Sequence, residues 1–285
     1  MSVNAPVSTN STPTSNVQIE SSSPLYAESI FHVDKFTVTN SMVSSWIAVV
    51  ILVIFFYSIG KKIKKIPKGI QNIFEIILEK ALEVVDSVTG NRKKSEKFMP
   101  IVLSLFLFIL VNNWMGLLPG MGTIGFLQKQ GNHLSFIPFL RGGTADINTT
   151  LALALFAVVA SHIFGIITIG TWNHFNKYIN LKVFYAIPKK IKEDISVLLI
   201  NPIRAFVGII EIIGEIAKVA SLSFRLFGNV FAGEVLLASM MVIFAYILPL
   251  PFMFLELLVG LIQALIFAML TLVYLAVATD QHTEH

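Results

Sequence analysis

The sequence contains no cysteine, which excludes disulfides, cysteine-ligated zinc, iron–sulfur ligation and a thiol nucleophile. Charge is also scarce. Only 13% of the 285 residues are Asp, Glu, Lys or Arg, about half the ~25% usual in soluble domains. That is too little to coat a chain of this length with a hydrated surface. No GxSxG, HExxH or P-loop pattern occurs, so no hydrolase triad, zinc site or nucleotide site is expected, and neither a metal nor a cofactor. His32, His133, His174, His282 and His285 lie in links or at the ends and form no ligand cluster. No basic segment followed by an early apolar core marks a cleavable signal.

What is abundant is hydrocarbon. Hydrophobic side chains make up 55% of the chain and mean hydropathy is +0.76. The apolar runs are too long for barrel strands, which leaves an all-α polytopic membrane protein. Five spans are predicted, at 42–60, 99–118, 147–172, 203–248 and 252–279. Residues 69–88 differ: their apolar positions recur at helical spacing while Glu75, Glu79, Lys80, Glu83 and Asp86 fall mostly on the other side, as in an interfacial amphipathic helix. The chain divides into a polar tail (1–40, the first 30 residues read as mobile), a first span with the amphipathic helix (41–98), and a part that holds the other four spans (99–285).

Basic residues set the orientation. Ten Lys and Arg lie in 61–97 and five in 177–192, against three in the tail and the 119–146 link together. The positive-inside rule therefore puts the N-terminus outside and the lysine-rich links and C-terminus in the cytoplasm, with a bacterial plasma membrane as the expected bilayer. The basic residues flank spans and no aromatic platform accompanies them, so nucleic acid is not an expected partner.

Pro202 is expected to open a long helix at its first position. No proline follows until Pro249. One unbroken helix over 203–248 would be ~69 Å long against a hydrocarbon core of ~30 Å, so it must lie steeply tilted or break near Ser221–Gly228; tilt is preferred. At 100° per residue, Arg204, Glu211, Glu215, Lys218, Arg225 and Asn229 share one stripe, and Glu234 lies about 140° away from Glu211. On the last helix Glu256, Gly260, Gln263, Phe267 and Tyr274 share a face. Glu215 with Lys218 reads as a structural ion pair, and His162 as a packed histidine or a minor polar lining. Arg225 is different. It sits seven residues from the nearest charge, within SLSFRLFGNVFAG, and it cannot deprotonate to escape the cost of burial in lipid. It implies an anionic partner, on this chain or another.

SLSFRLFGNVFAGEVLL (221–237) closely resembles the signature of subunit a of the rotary F-type ATP synthases, the membrane stator beside the rotating c-ring. NNWMGLLPG (112–120), TADINTTLALAL (144–155) and LIQALIFAMLTLVYLAVA (261–278) match the same family in the same order. The resemblance implies a non-catalytic, proton-translocating subunit of a hetero-oligomeric complex, in contact with c-ring subunits, peripheral-stalk b subunits and lipid. It implies that Arg225 faces the c-ring carboxylate, with Asn229 and Gln263 close to it. Glu234 and Glu256 would line one half-channel, Glu211 the other, and Asp146 and Asn148 the outer entrance. The last two helices would form a hairpin; index sums of 488 for Arg225/Gln263 and 490 for Glu234/Glu256 fit one antiparallel register. A proton-coupled secondary transporter is the alternative function; it fits the intramembrane charges, but no internal inverted repeat accompanies them.

Overall fold

A computed structural model describes residues 27–33, 36–61, 69–118, 121, 124–130, 133–172, 196–244 and 247–280. Most of the N-terminal tail and most basic residues of the two lysine-rich links lie outside the described residues.

Six α-helices occur among the described residues: α1 Asn40–Gly60, α2 Ile70–Thr89, α3 Arg92–Gly116, α4 Ile147–Ile169, α5 Ser196–Ile243 and α6 Pro249–Thr279. Five of them, all but α2, are long and apolar enough to cross a membrane. Their starts follow local chemistry. The Thr39 hydroxyl accepts from the Met42 amide, and the Asn91 side chain accepts from Lys93 N at 2.9 Å. Gly90 closes α2 in the left-handed region, at φ 62°, where only glycine is unstrained.

Two boundaries correct the sequence reading. α3 begins at Arg92, well before the apolar run that starts at Met99, because the Asn91 cap opens the helix in the basic segment; Pro100 lies inside it. α5 begins at Ser196, so Pro202 is interior; a proline near a helix start removes one backbone hydrogen bond and does not end the helix. α5 then runs for 48 residues without a break at Ser221–Gly228. At ~72 Å it exceeds the bilayer core more than twofold, so it cannot stand upright over its whole length.

Two antiparallel hairpins, absent from the sequence reading, cap one end of the bundle. β1 Ser29–Val33 pairs with β2 Phe36–Thr39, inside the stretch that composition assigns to the polar tail, and β3 Gly125–Gln130 pairs with β4 His133–Pro138. α2 sits at the other end.

The core is built by α3, α4, α5 and α6. Leu105, Ile109 and Leu110 of α3 meet Ala154 and Ala157 of α4, Leu222 and Leu226 of α5, and Ala264 and Phe267 of α6. Alanines between leucines let these helices approach closely, as membrane bundles require. A second cluster joins Val85 of α2 to Phe98, Met99 and Val102 of α3 and Leu272 and Leu275 of α6, which docks the amphipathic helix by its apolar face. α1 stays peripheral, with Trp46, Val50, Val53, Ile54 and Tyr57 exposed. The motif NNW fixes α3 to α6: Asn113 Nδ2 donates to Gly260 O at 3.0 Å and Trp114 Nε1 to Leu257 O at 3.1 Å.

Candidate functional site

The polar residues of α5 occupy three levels. At the level nearer α2, Lys218 Nζ donates to Glu215 Oε1 at 2.7 Å, and His162 Nε2 of α4 lies 3.5 Å from Glu215 Oε2. Lys218 also stands over the Tyr274 ring of α6, 5.1 Å from its centroid. Glu211 lies one turn earlier on the same stripe and is half-buried; the side chain of Arg204 lies outside the described residues. The expected Glu215–Lys218 pair is thus present. His162, expected as a packed histidine or a minor polar lining, adds a second partner to Glu215.

At the level nearer the hairpins, Arg141 holds Glu234. Its guanidinium donates through Nη2 at 2.6 Å and through Nε at 3.0 Å to the two carboxylate oxygens, and its side chain is 5% exposed. Such bidentate, charge-assisted bonds fix geometry as well as charge. Glu28, just before β1, adds a second carboxyl to the field of this pair. Burial holds it above the usual carboxylate range; Arg141 pulls it down and Glu234 pushes it up. Beside Glu234, the Glu256 carboxylate lies against Gly233, so closely that a Cβ at Gly233 would overlap it. The Gly233–Glu256 contact matches the antiparallel register read from the numbering, but Glu234 itself turns to Arg141. Asp146 is buried and caps α4, accepting from Asn148 N at 3.2 Å and from Ser41 Oγ at 3.3 Å; the Asn148 side chain also reaches Asp146 at 3.3 Å and is otherwise open.

Between the two levels stands Arg225. It is exposed, in an apolar surface that includes Phe224, while its neighbours Leu222, Ser223 and Leu226 are buried in the bundle. Among the described residues its guanidinium meets no carboxylate, only Ser221 Oγ at 3.5 Å. It lies ten residues from Glu215 and nine from Glu234, so roughly 15 Å along the axis from each. Asn229 Nδ2 and Gln263 Nε2 are buried without a hydrogen-bond partner among the described residues, and buried amide donors left so are uncommon.

The sequence matches the family described as ATP synthase A chain over residues 42–276. It is 35% identical over 237 residues to the ATP synthase subunit a of Syntrophobacter fumaroxidans, covering 83% of this chain and 82% of the relative. The subunit a of Mycobacterium bovis is 33% identical over 252 residues, covering 87% and 89%. That of Moorella thermoacetica is 28% identical over 247 residues, covering 87% and 94%. The chain belongs to the ATP synthase A chain family.

As a multi-pass membrane protein of the ATP synthase A chain family, it carries two functional candidates that sequence reasoning missed. Arg141 was read only as one charge of an extramembrane link. Its spacing gave no periodic signal, and only the fold of the 133–146 segment brings it to Glu234. Glu28 lies before the part matched to the family, in a segment whose composition suggested no structure.

Proposed function

We propose that this chain is the proton-translocating stator subunit of the membrane sector of a rotary ATP synthase, without catalytic groups of its own. It offers two aqueous half-channels to a ring of c subunits, with Arg225 between them. One observation carries the reading: a permanent cation lies exposed on an apolar helix, without a carboxylate of its own among the described residues, midway between two polar clusters. A charge left so in hydrocarbon costs at least ~2.5–3.5 kcal/mol. An acid on a neighbouring subunit that passes the arginine removes that cost. Peripheral-stalk b subunits and lipid cover other faces of the bundle. The bilayer is a bacterial plasma membrane, with the N-terminus and the hairpins outside and α2 and the C-terminus in the cytoplasm.

The physics is that of a carrier that changes charge. A protonated ring carboxyl is neutral and can face lipid; an ionised one cannot, unless a cation faces it. Arg225 supplies that cation between the two entrances and blocks a direct leak. Glu234 and Glu256 line the outer half-channel beside Asn148, with Asp146 shaping its mouth as the cap of α4. Glu211 lines the inner half-channel. Asn229 and Gln263 present amide donors near Arg225, in keeping with a wet passage there. Each elementary charge that crosses 100 mV releases ~2.3 kcal/mol, which drives rotation.

The test is ATP-driven proton pumping in inverted membrane vesicles. Arg225→Ala is expected to abolish pumping while the chain remains in the complex. Normal pumping by that variant overturns the assignment.

A further inference from the structure

We propose that His162 is a proton-exchange residue of the inner half-channel, loading and unloading protons between the cytoplasmic water and the polar stripe of α5. The inference rests on the function proposed above and extends it to a residue on α4.

The geometry singles out the imidazole. Its Nε2 lies 3.5 Å from Glu215 Oε2, while the other oxygen of that carboxylate is bound by Lys218 at 2.7 Å. Lys218 and Glu215 are already committed to one another as an ion pair at 2.7 Å, which suits them to hold the ring rather than to pass a proton on. Tyr274 serves Lys218 with its ring face. The charged and titratable groups joined to His162 at this level include Glu215 directly, Lys218 of α5 through Glu215, and Tyr274 of α6 through Lys218. Imidazole is the one side-chain type here that gains and loses a proton near neutral pH without an environmental shift. Its position fits the task as well. The His162 side chain is 29% exposed against 17% for Glu215, so it lies on the more open side of the pair. An ionisable residue inside a membrane helix is in any case a functional candidate.

The step is a balanced proton transfer. In the pumping direction the neutral ring accepts a proton from cytoplasmic water and becomes imidazolium, facing the Glu215 carboxylate. The proton then leaves along the stripe to an ionised ring carboxylate, and the imidazole is neutral again. The Glu215–Lys218 pair takes no part in the transfer and holds the ring in place.

In inverted vesicles the cytoplasmic face is outside, so its pH can be set. Pumping rates, normalised to the amount of complex, are compared for the native chain, His162→Gln and His162→Ala across the range in which imidazole titrates. The expected result is a several-fold lower rate with loss of the imidazole limb of the pH profile in both variants, and partial recovery of His162→Ala by added imidazole. A native pH profile that is merely scaled down overturns the inference, as does loss of the chain from the membrane in both variants, since either outcome leaves His162 a packing role. Arg225→Ala, measured alongside, separates the two levels of argument. If it pumps normally, both fall; if it is inactive while His162→Gln keeps the native profile, the inference about His162 alone falls.

Discussion

Arg141 and Arg225 are both fixed cations beside α5, and the fold treats them in opposite ways. Arg141 lies in a link that composition assigns to the aqueous side, yet its side chain is 5% exposed and grips both oxygens of Glu234. Arg225 lies in an apolar helix, yet it is turned outward and among the described residues meets only a hydroxyl at 3.5 Å. The difference teaches that burial and chemical satisfaction go together. The arginine that is paired is folded in, and the arginine that meets no carboxylate among the described residues is left on the surface.

The comparison is broken most directly by exchanging the consequences. Arg225→Ala should leave the amount of assembled complex unchanged and remove proton pumping. Arg141→Ala should do the reverse in kind, because it strands Glu234 with no cation. Removing one partner of a buried pair costs about 3 kcal/mol at the low end, and the low end applies because the Glu234 side chain keeps 31% exposure. Thermal retention of the chain in purified complex measures that loss. Equal thermal retention in the two variants would mean that the Arg141–Glu234 pair does not support the fold.

A smaller effect is expected at Gly233. In Gly233→Ala the new methyl overlaps the Glu256 carboxylate, so Glu256 must rotate away from its place beside Glu234. Pumping should drop several-fold with normal assembly, and a variant that pumps at the native rate would remove Glu256 from the path. The smallest effect concerns Glu28, whose carboxyl is raised by burial, with Arg141 opposing and Glu234 adding to the rise. A carboxyl raised in the folded state binds more protons there than in the undocked chain, so docking of the β1–β2 hairpin is strongest at low pH. It weakens as pH rises through the folded value. Hydrogen exchange at the Asn40 amide, which donates to Glu28 O at 3.1 Å, should report this after correction for intrinsic rates. Glu28→Gln should flatten the dependence, and an unchanged slope would separate Glu28 from the Arg141 cluster.

How far the site was legible depended on periodicity. The stripe carrying Glu211, Glu215, Lys218 and Arg225 could be read because a helix turns a fixed spacing into a fixed face. The inward face of α6 was readable for the same reason, and Gly260, Gln263 and Phe267 are indeed buried. Glu215 with Lys218 followed from a separation of three residues. Contacts between elements were another matter. The antiparallel register came out to within a residue at Gly233 and Glu256, but numbering cannot say which way a side chain turns. Glu234 turned to a link rather than to α6. Helix starts were misplaced where a cap or a tolerated proline outweighed the apolar pattern, at Arg92 and Ser196.

By itself, the sequence determined that this is a membrane protein of five long apolar helices and one amphipathic helix, with Arg225 set apart from other charges in the fourth span. The physical reason is that hydrocarbon demands long apolar runs and penalises every charge within them, so both features are written in local composition. Only the tertiary structure decided that Arg141 meets Glu234, that His162 meets Glu215, and that Arg225 meets no carboxylate among the described residues. The two pairings join residues 93 and 53 positions apart, and they are set by how helices and hairpins pack, where distance in space no longer follows distance along the chain.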